Sequence, residues 1–190
     1  MLKLISQLIL WIFGWKVKGQ MPQGINKCVI IVAPHTSNLD FIIGRLSFFT
    51  IEAKVKFLIK KEAFKFPFKR VLKLWGGIPV NRGSKNNLVS EIAELFDKYD
   101  SLLVTITPEG TRRLNHKWKK GFYHIAAKAN IPIILGFLDY KNKCCGLGPI
   151  MDVSGDYDKD LREIEKFYLD KTARHPENFN LSPLNLSVSE

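Results

Sequence analysis

The chain has 190 residues, and 46% of them are hydrophobic, which is enough for one domain with a single buried core. No apolar run approaches the ~20 residues needed to cross a bilayer, so the composition excludes a protein with several membrane-spanning helices. The formal charge of +11 predicts a polyanionic partner, and charge alone leaves nucleic acid, acidic phospholipid and a phosphorylated substrate open.

Residues 1–19 have the pattern of an amphipathic helix that lies at a membrane surface. Trp11 and Trp15 stand close to Lys16 and Lys18, and such segments place the rings at headgroup level with the ammonium groups toward anionic lipid. No small-residue cleavage site follows, which argues against a signal peptide. The alternative is a terminal helix docked on the core of the protein itself.

Short, branched apolar runs alternate with longer amphipathic segments through residues 20–177, which we take as one domain, followed by a flexible tail at 178–190. The runs predict strands at Cys28–Ala33, Lys56–Ile59, Gly77–Val80, Leu102–Thr107 and Ile131–Phe137. The intervening segments predict helices at Leu39–Ala53, Glu62–Leu74, Leu88–Tyr99, Gly121–Ala129 and Lys159–Ala173. This order predicts an α/β fold with a mixed, mostly parallel sheet flanked by helices, and ligands at the carboxyl ends of its strands.

The first predicted strand is followed by a histidine and an aspartate, His35 and Asp40. Pro34 fixes the chain as it leaves the strand, and Ser37 or Asn38 can cap the next helix with Asp40 in its first turn. A carboxylate that accepts from Nδ1 leaves Nε2 free as a general base. Because no GxSxG serine is present, this base would activate a substrate hydroxyl or water directly. The alternative is a structural loop histidine beside a helix-capping aspartate.

A second polar cluster, residues 107–113, follows the fourth strand. Gly110 and Thr111 permit a tight turn with exposed amides, and Arg112 can hold a phosphate with paired donors. Glu109 has the wrong charge to bind phosphate, but it can orient an arginine or accept from a glycerol hydroxyl. A turn with solvated charges is the alternative.

Further cations follow the second and third strands. Arg82 comes after Gly77–Val80, and Lys60 and Lys61 end the strand before it, so these side chains can add positive charge to the same pocket. A plain turn explains Arg82 as well. Phenylalanines and cations alternate over residues 62–75, which suits either a lipid interface or a solvated helix face.

Four ordered blocks, His35–x4–Asp40, Gly77–Arg82, Pro108–Arg112 and Ile131–Ile134, resemble the motifs of the glycerolipid acyltransferase family, which includes the 1-acylglycerol-3-phosphate acyltransferases. The resemblance covers residues 28–137, and the segment 118–126 is similar to a small bacterial branch. Thr107 departs from the pattern, because the family has an aromatic residue before the Pro-Glu-Gly-Thr block.

The resemblance implies that His35 deprotonates the acceptor hydroxyl while Asp40 orients it, without a covalent enzyme intermediate. Pro132 would belong to the block that lines the acyl or carrier region. By the same resemblance, Arg82 and Arg112 hold the acceptor phosphate and Glu109 shapes that site. With Lys61 added for its charge, the residues predicted to bind substrate are Lys61, Arg82, Glu109, Gly110, Thr111 and Arg112.

By the same resemblance, the acceptor is a lysophosphatidate-like phospholipid, and the donor is acyl-CoA or acyl carrier protein. No metal, cofactor or nucleic acid is expected. Cys28, Cys144 and Cys145 have neither disulfide nor zinc spacing, which favours a reducing, cytosol-facing location. Together with the N-terminal segment, this predicts a peripheral or monotopic protein on the cytoplasmic face of the cell membrane. Two alternatives remain: a lipid or thioester hydrolase with the same His–Asp pair, and a non-catalytic basic module that binds membranes or nucleic acid.

Overall fold

The computed structural model describes residues 1–65, 67–80 and 85–181, and these ranges form one seven-stranded sheet with helices on both faces. The strands are β1 (Lys16–Lys18), β2 (Lys27–Ala33), β3 (Val55–Lys60), β4 (Gly77–Val80), β5 (Leu102–Ile106), β6 (Ile133–Asp139) and β7 (Cys144–Met151). The helices are α1 (Leu2–Ile12), α2 (Asn38–Thr50), α3 (Phe68–Leu74), α4 (Lys85–Lys98), α5 (Gly121–Ala129) and α6 (Tyr157–Tyr168).

The strand order is β1-β7-β6-β2-β5-β3-β4, with β2 in the middle. Every strand pair in the described part of the chain is parallel except β6 with β7. The predicted fold class, a mixed and mostly parallel sheet flanked by helices, is therefore confirmed. Because β5 and β6 both pair with β2 in parallel, the three strands end at the same edge of the sheet.

Strand β2 divides the hydrophobic core between the two faces of the sheet, because successive side chains in a strand point to opposite sides. Val29, Ile31 and Ala33 pack with residues of α4, α5 and α6. Ile30 and Val32 pack on the other face with residues of α1 and α2. The five predicted strands all exist. Four of them have a short apolar run, and β4, which contains a glycine and a proline, lies at the edge of the sheet, where proline is tolerated.

Two strands were not predicted, and their sequences show why. Strand β1 has only three residues, two of which are lysines, and β7 contains two glycines and a proline, residues that strands usually avoid. Gly146 allows β1 to approach β7, since a Cβ at this position would clash with the carbonyl group of Lys18.

The helix predicted at Glu62–Leu74 is wrong in its first half, where residues Lys61–Ala63 form a 3₁₀ turn and α3 begins only at Phe68. Pro67 explains the difference, because proline lacks an amide hydrogen and disfavours a helical residue before it. The last predicted helix is also shorter than expected, since α6 ends at Tyr168.

The two ends of the chain pack against the domain as far as they are described. Helix α1 buries Ser6 and Leu10, and no helix in residues 1–65, 67–80 or 85–181 is long and apolar enough to cross a membrane. The predicted tail begins with residues that contact the core, because Leu181 is buried and the carbonyl group of Asn180 accepts a hydrogen bond from the indole of Trp118 at 3.1 Å.

Candidate active site

Polar side chains from three loops meet at the edge of the sheet where β2, β5 and β6 end. Ile31 of β2 pairs with Ile106 of β5, and Ala33 pairs with Phe137 of β6. Residues that follow each strand by a few positions therefore lie side by side, as parallel strands require. The loops contribute His35 after β2, Glu109 after β5 and Tyr140 after β6.

His35 and Asp40 are in contact, as their spacing predicts. Nδ1 of His35 lies 3.4 Å from Oδ2 of Asp40, and the imidazole is 20% exposed whereas the carboxylate is 2% exposed. Ser37 is the N-cap of α2, and Asp40 completes a capping box in the first turn. The cap therefore fixes the carboxylate, while the ring keeps access to solvent.

The carboxylate of Asp40 accepts hydrogen bonds on both oxygens. Oδ2 accepts from the amides of Thr36 and Ser37, both at 2.7 Å, and Oδ1 accepts from the hydroxyl of Tyr140 at 2.6 Å. Burial alone would raise the pKa of Asp40, but hydrogen bonds from His35, Tyr140 and Ser37 outweigh it and leave this pKa below its ordinary value. Asp40 is therefore ionised at neutral pH beside the imidazole.

Glu109 lies beneath the histidine and is 3% exposed. Its Oε1 accepts a hydrogen bond from the backbone amide of His35 at 2.8 Å, and its Oε2 is buried without a hydrogen-bond partner. Burial raises the pKa of Glu109 to about 7, although the bond from the His35 amide opposes the shift. In this position Glu109 fixes the loop that carries the imidazole.

The chain after Glu109 folds back on itself. Gly110 has a φ of +68°, which glycine adopts without strain, and a Cβ at this position would lie 2.6 Å from Cδ of Lys119. The side chain of Asn115 donates to the carbonyl group of Glu109 at 2.9 Å. The backbone amide of Lys119 donates to the carbonyl group of Pro108 at 2.8 Å. A lysine is thereby held against Gly110, beside the histidine loop.

The other residues predicted to bind substrate have less defined surroundings. Thr111 and Arg112 are exposed on the same turn as Gly110, and Lys61 is exposed in the 3₁₀ turn that follows β3. Arg82 lies outside the described residues. Because β3 and β5 pair in parallel, they end at the same edge of the sheet. Lys61 follows β3 and Arg112 follows β5, so both residues lie on loops at this edge.

Two side chains at this edge were missed by the sequence analysis. Tyr140 bonds Asp40, and Arg174 donates from Nη1 to Oγ of Ser37 at 3.3 Å. Arg174 belongs to the segment after α6, which also bonds the loop through the amide of His175 and the hydroxyl of Thr36 at 3.1 Å. The position of Tyr140 directly after β6 was a usable signal, whereas nothing in the sequence brings Arg174 here.

The fold and this edge define a class of protein: an α/β domain that presents a histidine, paired with an ionised aspartate, at the carboxyl ends of central parallel strands. The family model described as Acyltransferase matches residues 15–134. Because this range is more than half of the 190 residues, the chain belongs to the acyltransferase family of enzymes. The resemblance stated from the motif blocks is confirmed.

Several characterised proteins are similar to this chain. A 1-acyl-sn-glycerol-3-phosphate acyltransferase of Haemophilus influenzae is 26% identical over 178 residues, which cover 82% of this chain and 72% of the relative. An enzyme of the same name from Limnanthes douglasii is 27% identical over 69% of this chain and 48% of its own length. The human beta form is 27% identical over 65% of this chain and 46% of its own length. The chain thus spans about half the length of the last two.

A solved structure has the same fold. The crystal structure of the 1-acyl-sn-glycerophosphate (LPA) acyltransferase PlsC from Thermotoga maritima superposes with a TM-score of 0.61 and 18% sequence identity, over 90% of this chain and 80% of that chain. The similarity includes the segments beyond residue 134, which the family model does not reach.

Proposed function

We propose that this chain transfers a fatty acyl group from acyl-CoA or acyl carrier protein to the free hydroxyl of a lysophosphatidate-like lipid. The observation that carries the proposal is the contact of His35 with a buried, ionised Asp40 at the edge of the sheet. The names of the relatives support the acceptor class, since each is a 1-acyl-sn-glycerol-3-phosphate acyltransferase.

In the proposed reaction, His35 acts as a general base through Nε2 because Asp40 occupies Nδ1. The acceptor hydroxyl gives its proton to Nε2 while its oxygen bonds the thioester carbonyl carbon. The carbon–sulfur bond then breaks, and the thiolate leaves with its electron pair and takes the proton from the imidazolium. Asp40 stabilises the imidazolium in between, and the enzyme returns to its starting state without a covalent intermediate.

The acceptor phosphate, in this proposal, binds cations at the same edge. Arg112 is exposed three residues after Glu109, which bonds the histidine loop, so its guanidinium can reach a headgroup beside the imidazole. Lys61 is proposed to add positive charge from the 3₁₀ turn after β3, and Arg82 is proposed to take part as the family resemblance implies. Gly110 and Thr111 form the turn that presents Arg112.

The decisive experiment replaces the base. His35→Ala should lower the formation of diacyl product by about 10²- to 10⁴-fold, because a positioned base contributes that much to the rate. Mass spectrometry should follow lysophosphatidate and the diacyl product with acyl-CoA and with acyl carrier protein as donors. His124→Ala is the matched control, since His124 is an exposed histidine on α5.

Three outcomes would contradict the proposal. Full transfer by a folded His35→Ala protein would remove the mechanism. Release of free fatty acid at the same rate with and without lysophosphatidate would show a hydrolase. A wild-type protein that transfers nothing from either donor, yet sediments with anionic vesicles, would be a binding module.

The exposed face of α1 supports a second part of the proposal, contact with the cytoplasmic surface of an anionic membrane. Apolar side chains point outward along this helix and the turn after it, with exposed fractions of 60% for Leu2, 70% for Leu4, 56% for Leu8, 75% for Trp11 and 65% for Phe13. A contiguous apolar face of this kind marks an interaction surface, and lipid is the occupant that suits an enzyme of lipid substrates.

Vesicle sedimentation tests this contact. Leu4→Ser combined with Trp11→Ser should release the protein from vesicles of phosphatidylglycerol and phosphatidylcholine, because two of the most exposed apolar side chains are lost. Leu169→Ser is the control, as it changes a leucine that is 55% exposed after α6. Equal retention of both variants would disprove the contact.

A further inference from the structure

Tyr140 occupies the first position after β6 and reaches the aspartate of the proposed catalytic pair. Its hydroxyl donates to Oδ1 of Asp40 at 2.6 Å, although the two residues are 100 positions apart in sequence. It lies beyond residues 15–134, the range that the family model matches. No sequence motif considered above includes it.

The two oxygens of Asp40 have different partners, and the difference gives Tyr140 a specific role. Oδ2 accepts from the amides of Thr36 and Ser37 and faces Nδ1 of His35. Oδ1 points away from them and accepts from Tyr140. Rotation of the carboxylate about its Cβ–Cγ bond would move Oδ2 away from the imidazole, and the bond at Oδ1 opposes this rotation.

Tyr140 is itself held on two sides. Its ring meets the edge of Trp15 with centroids 5.0 Å apart and planes at 89°, and its amide donates to the carbonyl of Thr172 at 2.9 Å. Burial raises the pKa of the Tyr140 hydroxyl, and the bond to Asp40 raises it further, so the hydroxyl remains protonated and able to donate at neutral pH. A fixed ring with a protonated hydroxyl is suited to orient a carboxylate.

We infer that Tyr140 is a positioning residue for acyl transfer, which holds the Asp40 carboxylate in the rotation that directs Oδ2 at Nδ1 of His35. This inference rests on the proposed function of the His35–Asp40 pair. On this inference Tyr140 acts on the reaction through its hydrogen bond to Asp40. Its contribution should therefore appear in kcat, whereas KM for both substrates should change little.

The chain offers a matched control on the other face of the sheet. The hydroxyl of Tyr123 on α5 donates to Oδ2 of the buried Asp160 at 2.8 Å, so it forms the same type of bond away from the proposed site. Tyr140→Phe and Tyr123→Phe each remove one oxygen from a tyrosine that bonds a buried carboxylate. Because the Tyr123 hydroxyl also accepts from the amide of Gly155 at 3.1 Å, the loss of stability in Tyr123→Phe should be at least as large as in Tyr140→Phe.

The experiment compares kcat, KM and thermal unfolding of the two variants in the 190-residue chain, with lysophosphatidate as acceptor and acyl-CoA or acyl carrier protein as donor. Tyr140→Phe should lower kcat by about 5- to 20-fold, less than the roughly 10²-fold cost of a 1 Å misplacement, because the amides of Thr36 and Ser37 still hold Oδ2. KM should stay within about 2-fold of wild type. Tyr123→Phe should keep kcat within about 2-fold.

A double-mutant cycle then tests whether the effect passes through the aspartate. In an Asp40→Asn background, Tyr140→Phe should change kcat by less than about 2-fold, because the carboxylate that it orients is gone. The same 5- to 20-fold loss in this background would overturn the inference, as would a Tyr140→Phe protein with wild-type kcat.

The two proposals fail in different ways. Active transfer by His35→Ala would remove the proposed function and the role of Tyr140 with it. An inactive His35→Ala protein together with a fully active Tyr140→Phe protein would leave acyl transfer in place and remove only the inference about Tyr140.

Discussion

Two helices on opposite faces of the sheet begin with nearly the same arrangement. Asp40 in the first turn of α2 accepts hydrogen bonds from the residues before the helix and from the hydroxyl of Tyr140 at 2.6 Å. Asp160 near the start of α6 accepts from the amide and the hydroxyl of Ser154, at 2.8 and 2.7 Å, and from the hydroxyl of Tyr123 at 2.8 Å. Hydrogen bonds hold the pKa of both carboxyl groups below its ordinary value, although burial opposes this.

The difference between these regions is the imidazole. His35 lies 3.4 Å from the carboxylate of Asp40 and keeps part of its ring exposed, whereas the contacts of the Asp160 carboxylate come from Ser154 and Tyr123. A buried aspartate whose two oxygens both accept hydrogen bonds is therefore not evidence of catalysis by itself. The chemistry requires a second titratable group that the carboxylate orients and that a substrate can reach.

The largest expected effect is a loss of kcat that occurs when Asp40 is replaced and does not occur when Asp160 is replaced. Asp40→Asn should lower kcat for acyl transfer by about 10²- to 10⁴-fold, because an amide cannot stabilise the imidazolium that forms when His35 takes the proton. The measurement is the initial rate of diacyl product with saturating donor and acceptor. Circular dichroism should confirm that the variant protein is folded.

Asp160→Asn is the matched variant for this comparison. It should lower the free energy of unfolding by about 1–3 kcal/mol, because the hydroxyl groups of Ser154 and Tyr123 would no longer donate to a charged acceptor. It should leave kcat within about 2-fold of wild type. An equal loss of kcat in both variants would show that the two regions do not differ in function.

A third buried carboxyl group, that of Glu109, sharpens the comparison because one of its oxygens has no hydrogen-bond partner. Its pKa is raised from 4.5 to about 7 by burial. The folded protein therefore retains a proton that the unfolded chain releases, so this contribution to stability is complete below pH 4.5 and is lost as the pH rises through 7. Glu109→Gln should remove this pH dependence.

Urea unfolding at several pH values measures the effect. The free energy of unfolding of Glu109→Gln, relative to wild type, should rise by about 3 kcal/mol between pH 4.5 and pH 8. Glu94→Gln replaces an exposed glutamate of α4 and provides the control. A constant difference between Glu109→Gln and wild type over this range would mean that Glu109 ionises in the folded protein as it does in the unfolded chain.

The parts of the fold that the sequence predicted are those that local pattern determines. The central strands have branched apolar runs, and the His35–Asp40 contact lies within a single capped helix start, so spacing alone brings the pair together. Strand β7 was missed because Gly146 and its other breaker residues are tolerated only through pairing with neighbours that are distant in sequence.

The parts of the site that the sequence did not predict depend on tertiary contacts. Glu109 was expected near a glycerol hydroxyl or an arginine, but the structure places its carboxyl group under the amide of His35, 74 positions away. Tyr140 reaches Asp40 across 100 positions. The convergence of β2, β5 and β6 at one edge is predictable from parallel topology, whereas the atoms that meet there depend on loop conformations that no spacing rule specifies.

The smallest expected effect concerns how the two aspartates are held by the residues before each helix. The hydroxyl of Ser37 caps α2 by accepting from the amide of Leu39 at 3.1 Å and does not bond Asp40, which accepts only the backbone amide of this serine. Ser37→Ala should therefore lower the free energy of unfolding by about 1 kcal/mol and reduce kcat by less than about 3-fold.

Ser154→Ala should lower the free energy of unfolding by about 2 kcal/mol, because the hydroxyl of Ser154 donates directly to Asp160 at 2.7 Å. Thermal and urea unfolding of the two variants measure the difference. A larger loss of stability in Ser37→Ala than in Ser154→Ala would show that Asp40 depends on the Ser37 hydroxyl in addition to the two backbone amides and Tyr140.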